Sequence, residues 1–338
     1  MSLRTLLATC CSASLLLAPL PAAAQASPAE PLPVGTCINL GNHLESPQEN
    51  DWGAHRLGPA DFTRIRAAGF TTVRLPVRWA NKTGDGPDYT IDPAWLARVS
   101  ELVDAALAAD LNVMLNSHNF EELHADPAGN AAKLAAIWRQ VGAHFADRSD
   151  RLWFEPENEP HGAFTNENLV ATLAPALAEI RATNPTRAVI IGGGNWSGID
   201  SLATLELPDD PNVHPTFHYY EPFDYTHQGA TWAGQVPEAG TRPYGTPADA
   251  ERLASDVAKL EAYVARTGLT PFMGETGAFD GGSALDQRIA YHTAVREAFA
   301  PTGIGMCAWA YANTFPFWDA ETGQWLPGLR AAFGLPED

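Results

Sequence analysis

The chain has 338 residues, 45% of them apolar, with 40 acidic against 21 basic side chains and a formal charge of −19. Such an acidic surface repels polyphosphate and anionic membrane, and the three lysines, Lys82, Lys133 and Lys259, form no basic stripe, so nucleic-acid binding is excluded. No run beyond the first thirty residues is long and apolar enough to span a bilayer.

In chain order, residues 1–24 read as a secretory signal peptide. Arg4 is followed by an apolar stretch containing Leu15, Leu16 and Leu17, a break from Pro19 to Pro21, and the small-residue run Ala22, Ala23, Ala24, with cleavage expected after Ala24 or Ala26. Lipid modification at Cys10 or Cys11 is disfavoured because too little apolar chain precedes either. Loss of Arg4 leaves 20 basic against 40 acidic side chains and a charge of −20. Residues 25–33 form a short Ala/Pro leader. From there, apolar runs at 36–41, 71–77, 112–118, 152–159, 188–196, 213–220, 270–276 and 304–311 predict eight strands. The stretches between them are helical in period, as in Leu134, Ile137, Trp138, Val141 and Phe145, or Leu253, Val257, Leu260 and Val264. Short continuous apolar strands separated by such helices argue for a parallel sheet covered on its outer face.

Eight βα units over residues 34–338 fit an α/β fold, a single-domain (β/α)8 TIM barrel, better than an open doubly wound sheet, whose dinucleotide fingerprint is missing; Gly192, Gly193, Gly194 and Asn195 end a strand without its spacing. No linker or second module is read along this stretch. The segment from Glu221 to Thr246 departs from the alternation, with Phe223, Tyr225, His227, Trp232 and Tyr244 among Pro and Gly, and reads as one wall of a cleft in which about half of the aromatics pack on the barrel itself. Cys37 and Cys307 fall on the first and last strands, which closure would make neighbours. A disulfide suits an exported chain, but two buried free thiols are the preferred expectation, because adjacent parallel strands offer poor disulfide geometry.

In a barrel all strand C-termini gather on one face. Here those ends carry Asn39 and His43, Arg74, His118, Asn158 with Glu159, Trp196, His218 with Tyr220, Glu275, and Trp309. Taken singly, each has a plain reading as surface ion pair, satisfied core histidine or packing tryptophan. Eight polar strand ends together point to a site. Glu159 and Glu275 are the central pair, since one protonated and one ionised carboxyl are what cleavage of a glycosidic bond requires. By period-two parity Glu155, Glu157 and Glu159 would share a face, and Pro156, lacking a ladder donor, predicts an irregular strand end.

The ordered set NLGN at 39–42, VRLPVRW at 73–79, His118, NEPHG at 158–162, HYY at 218–220, GETG at 274–277 and Trp309 resembles glycoside hydrolase family 5, the cellulase family, over essentially the whole chain after the signal. The resemblance implies that Glu159 is the acid/base, Glu275 the nucleophile and Asn158 a partner for the substrate 2-hydroxyl. It also implies that Arg74 and Tyr220 hydrogen-bond the nucleophile, that His118 and His218 line the catalytic subsite, and that Trp309 stacks beneath the sugar, with Asn39 and Trp196 as further substrate contacts. The chain departs from the family at Pro156 and Glu157, where apolar residues are more usual. Arg74 and Tyr220, as donors, are expected to lower the pKa of Glu275, and Glu159 beside that anion to have its own raised.

The expected function is a secreted, monomeric, retaining endo-β-1,4-glucanase acting on cellulose or β-glucan without a cofactor, with Trp79, Trp196 and Trp232 as aromatic platforms. β-Mannan and xyloglucan are alternative substrates for the same barrel. A metal-dependent hydrolase barrel is disfavoured by the absence of a His-x-His on the first strand. A catalytically dead carbohydrate-binding barrel is disfavoured by the presence of both glutamates with their supports.

Overall fold

The computed structural model describes residues 30–337; the expected signal peptide and the start of the leader lie outside the described residues. Eight strands, β1 (Thr36–Asn39), β2 (Thr72–Leu75), β3 (Asn112–Asn116), β4 (Leu152–Glu155), β5 (Val189–Gly192), β6 (Val213–His218), β7 (Phe272–Thr276) and β8 (Met306–Ala308), pair in sequence order, each parallel to the next. β8 pairs back onto β1, which closes the barrel as expected. Every expected strand is present, and most are shorter at the C-terminal end. Among the residues left outside the ladders are Asn158 and Glu159, beyond β4, and Trp309, beyond β8. β4 stops at Glu155 because Pro156 has no N–H for a ladder bond.

The outer layer consists of α1 (Pro59–Ala67), α2 (Pro93–Ala108), α3 (Glu121–Ala125), α4 (Pro127–His144), α5 (Asn166–Thr183), α6 (Phe223–Thr226), α7 (Pro247–Thr267), α8 (Leu285–Phe299) and α9 (Leu329–Ala332). Local sequence sets their ends. α4 starts at a proline whose preceding Asp126 accepts a hydrogen bond from the Gly129 amide at 3.0 Å. α7 opens on a Thr246/Asp249 capping box and stops at Gly268, whose φ of 72° is in the left-handed region that glycine enters without strain. Leu253 and Leu260 of α7 are buried, and Val257 and Val264 pack against the same core.

One crossover departs from the (β/α)8 alternation. Between β5 and β6 there is only a 3₁₀ turn, Ile199–Ala203, followed by the proline-containing run up to Pro211, and α7 packs against that turn.

Alternation along the strands builds two cores. Ile38, Val73, Val113, Leu115, Phe154, Val189 and Ile191 face the helices. Cys37, Met114, Trp153, Ile190, Phe272 and Cys307 fill the barrel interior. Two residues further along, on the same inner face, come Asn39, Arg74, Asn116 and Glu155, so the polar layer sits directly on an apolar plug. Cys37 and Cys307 are register partners across the closing seam, with Cα atoms 4.1 Å apart, and their sulfurs are bonded. The expectation of two free thiols is therefore corrected: the register sets the two side chains directly opposite one another on the interior face.

Candidate active site

Arg74 organises the centre of the strand-end face. It is fully buried, and its guanidinium is shared among four partners. Nε and Nη2 donate to Glu155 Oε2 and Oε1 at 2.7 and 2.8 Å, and Nη1 donates to Glu275 Oε1 at 2.5 Å and to Asn39 Oδ1 at 3.0 Å. Nη2 also donates to Asn158 Oδ1 at 2.5 Å. Five planar donors suit this task, and a lysine ammonium would not reproduce the fork. Burying a guanidinium is tolerable here because two carboxylates face it.

Glu275, at the end of β7, takes Arg74 on Oε1 and the Tyr220 hydroxyl on Oε2 at 2.8 Å. His218 stands between the two glutamates, with Nδ1 2.6 Å from Glu159 Oε1 and 3.7 Å from Glu275 Oε2. Taking one ligand-type atom from each of Glu159, His218 and Glu275, all three lie within 4.8 Å of one another. Burial pushes the Glu159 carboxyl up to about 7 from its ordinary 4.5. Burial also raises Glu275, against the downward pull of His218, Arg74 and Tyr220, while the Glu159 charge adds to the rise. This corrects the expectation that its donors would hold Glu275 below the ordinary range: desolvation outweighs them. His218, buried between cation and anions, is lowered to about 4 and is neutral at pH 7.

Asn158 Oδ1 accepts from Arg74 Nη2, and its amide nitrogen has no protein acceptor among the described residues, which leaves it for a bound hydroxyl. His118 is held through Nδ1 by Asn116 at 3.1 Å and lies parallel to the Trp309 ring, centroids 5.9 Å apart. Burial and neighbouring cations hold His118 well below the ordinary imidazole range. Trp309 covers Gly41, where a Cβ would come within 2.7 Å of the indole, so only glycine admits the ring there.

The structure therefore brings together Arg74, His118, Asn158, Glu159, His218, Tyr220, Glu275 and Trp309. It does not do so for all the expected contacts. Asn39 is fully buried, with its amide nitrogen donating to the Gly274 and Ala308 carbonyls and its oxygen taken by Arg74, so it holds Arg74 and cannot touch substrate, which corrects that expectation. Trp79 is also fully buried, its indole N–H donating to the Asn116 carbonyl at 2.9 Å, and is packing rather than a platform. Trp196 is 54% exposed and stacks on His161, and Trp232 is 60% exposed and meets Phe279 edge-on. In the 221–246 segment, Tyr225 and Tyr244 pack on Tyr291, while Phe223 and Trp232 face outward.

Glu155, Glu157 and Glu159 do not share one environment as parity predicted. Glu155 points into the barrel, whereas past Pro156 the chain turns and Glu157 contacts His124 at 2.9 Å. Two residues near this face were given no role by the sequence. Glu155 was visible only as one of three candidates. Glu45, in the loop after β1, is buried, capped by the amides of Asn42 and His43, and pushed up to about 7 by that burial. Its surroundings in the sequence, Asn42, His43, Ser46 and Gln48, are those of a solvated loop and give no signal of its burial. A separate concavity opens on the opposite face beside Leu32, Arg151 and Arg187, but Arg187 is spent on carbonyls, including those of Ser149 and Leu152 at 2.8 and 2.7 Å.

Comparison with known proteins places this geometry. Residues 36–314 match the family described as Cellulase (glycosyl hydrolase family 5). Endoglucanase H of Acetivibrio thermocellus is 34% identical over 276 residues, which is 82% of this chain; the chain spans only 29% of that relative's length. Among solved structures, a hyperthermophilic endo-beta-1,4-glucanase in complex with substrate is 35% identical with a TM-score of 0.85, covering 89% of this chain and 96% of that one. Thermotoga maritima Cel5A in complex with cellobiose is 33% identical with a TM-score of 0.84, covering 89% and 97%.

Proposed function

This chain belongs to the cellulase family, glycosyl hydrolase family 5, and on that premise we propose that it is a retaining endo-β-1,4-glucanase in which Glu275 is the nucleophile and Glu159 the acid/base. The observation that carries the mechanism is the closeness of the two carboxylates, whose oxygens approach within 4.8 Å together with His218. Retaining enzymes hold their carboxyls about 5–5.5 Å apart, and inverting ones need roughly 6.5–9.5 Å to admit a water.

Glu275 attacks the anomeric carbon as Glu159 gives its proton to the departing glycosidic oxygen, and a glycosyl ester forms with inverted configuration. Esterification removes the Glu275 charge that repels an ionised Glu159, so the pKa of Glu159 falls and it takes a proton from water. The water oxygen attacks the same carbon, Glu275 leaves, and the original configuration returns. Arg74 and Tyr220 keep the Glu275 oxygens aimed and disperse the charge on the departing carboxylate. Asn158 offers its amide to the substrate 2-hydroxyl, and the Trp309 face supports the sugar ring. A second cation between the two glutamates is opposed by the Arg74 guanidinium already bonded to Glu275.

Cellulose or β-glucan is the substrate class that the relatives' names favour, with Trp196 and Trp232 positioned as exposed faces for further sugars. Export is supported by the signal-like N-terminus and by the Cys37–Cys307 bond, which belongs to an oxidising compartment; among the described residues no helix is long and apolar enough to cross a membrane.

The test is reducing-sugar release from carboxymethylcellulose, barley β-glucan, xyloglucan and glucomannan, with and without chelator, by the wild type and by Glu275→Ala. Proton NMR follows the anomer first released. Chelator-insensitive release of the β-anomer from the glucans, lost in Glu275→Ala, is the expected result. Initial α-anomer would overturn retention, and preferential release from glucomannan or xyloglucan would reassign the substrate.

A further inference from the structure

We propose that Glu121, His124 and His161 form a binding site for one divalent transition cation of the zinc(II) class, on the rim of the barrel beside the strand-end face. The three side chains each offer one ligand atom, and these lie within 4.8 Å of one another. Two independent hydrogen bonds set the imidazole tautomers for this task. His161 Nδ1 lies 2.7 Å from the Glu159 carbonyl, which only accepts, so the proton is on Nδ1 and the lone pair is on Nε2. His124 Nε2 lies 2.9 Å from Glu157 Oε1, so the proton is on Nε2, and in the neutral ring the lone pair is on Nδ1.

That second lone pair is the informative one. His124 is 95% buried by its 5% exposure, and its Nδ1 has no hydrogen-bond partner. It is aimed at the cluster, with Glu121 Oε2 3.9 Å away and the His161 ring centroid 4.0 Å from its own. A buried acceptor left unpaired costs free energy that a metal ion would recover. The Glu157–His124 contact is the carboxylate–histidine arrangement that orients metal-ligating imidazoles and raises their basicity.

The frame around the site is held. The Ala163 amide donates to the His124 carbonyl at 3.0 Å, tying the 161–163 turn to the end of α3, and Trp196 stacks on His161 at 4.8 Å. Glu121, 64% exposed, would supply the third position, leaving the fourth to water. Two imidazoles with one carboxylate suit zinc(II) over calcium or magnesium, which take oxygen ligands.

The test is calorimetric titration of the full chain after signal removal with zinc chloride, together with the visible spectrum of the cobalt(II)-loaded protein. Both read binding, independently of hydrolysis. One equivalent bound by the wild type, retained in Glu275→Gln and lost in His161→Gln, is expected. Glu157→Gln, which removes only the orienting carboxylate, should weaken binding about 10- to 100-fold. Glu121→Gln, at an exposed position that leaves the fold intact, should weaken binding and leave hydrolysis of β-glucan without added metal unchanged. The proposal is overturned by no binding, by equal binding in wild type, Glu121→Gln and His161→Gln, or by loss only in Glu275→Gln, which would put the ion between the two glutamates.

Discussion

Arg74 shows how one side chain serves both stability and reactivity. Its charge is neutralised by Glu155 on one edge, which leaves the other edge to hold Glu275 and Asn158 in register. Tyr220 contributes a separate hydrogen bond to Glu275, and because it favours the anion its removal should raise the Glu275 pKa. In Tyr220→Phe, the acid limb of the pH profile of kcat/KM is therefore expected to move to higher pH by about one to two units, the equivalent of a lost hydrogen bond to a charged group. An unmoved acid limb would mean that Glu275 is not the group titrating there. With Glu159 as the proposed acid, raised to about 7 by burial, the basic limb is expected to follow its titration, since that role requires the proton. Glu159→Gln should remove that limb and lower kcat on cello-oligosaccharides by roughly 10²- to 10⁴-fold. The loss should be smaller on an aryl glycoside whose leaving group needs no proton, a comparison that steady-state kinetics makes directly.

At the scale of elements, the closing seam between β1 and β8 is where the fold is reinforced covalently. The Cys37–Cys307 bond joins strands 270 residues apart in sequence, so in the unfolded chain it closes almost the whole polypeptide into a loop. Replacing both cysteines by serine should cost about 2–4 kcal/mol. At this chain length that lowers the melting temperature by roughly 4–12 °C, which differential scanning calorimetry would register. An unchanged transition would mean that the ladder alone secures the seam. The eight strands were legible because each is a short apolar run between helices of clear period. Their ends were less so, since the polar residues that leave the ladder continue the same alternation on paper. Glu157 is the clear instance: parity aligned it with Glu155 and Glu159, but Pro156 ended the strand and turned it toward His124. The β5–β6 crossover was expected to be a helix like the others, but residues 197–212 are too short and too rich in proline for one and form only the 3₁₀ turn Ile199–Ala203.

For the whole molecule, buried titratable groups set opposing pH dependences. Glu45 and Glu159, raised to about 7, bind protons more tightly when folded, so they add stability as pH falls from 7 to the ordinary carboxyl value of 4.5 and nothing further below it. His43 and His292, lowered to about 3, and His214, His218 and His227, lowered to about 4, act the other way, withdrawing stability as pH falls below 6.5. Asp61 and Asp249, held at about 2 by His55 and Arg242 among others, withdraw stability as pH falls below 3.8. Between pH 6.5 and 4.5 the two sets oppose each other, and below 4.5 only the destabilising ones remain. Thermal melts are expected to show a shallow dependence across the first interval and a steep fall below it; a transition temperature that holds down to pH 3 would contradict the burial of these histidines as neutral groups.

Sequence by itself determined the barrel class, the strand count and the identity of the two central carboxylates, because apolar period and a set of ordered motifs are one-dimensional signals. It also named Arg74, Tyr220, His118, His218, Asn158 and Trp309 as residues that meet at the strand ends. Only the tertiary structure decided that Asn39 braces Arg74 instead of facing the cleft, that Trp79 is core, that Cys37 and Cys307 are bonded, and that burial outweighs the donors around Glu275. These outcomes depend on register, side-chain direction and desolvation, which arise when the strands close on one another and are absent from the order of residues along the chain.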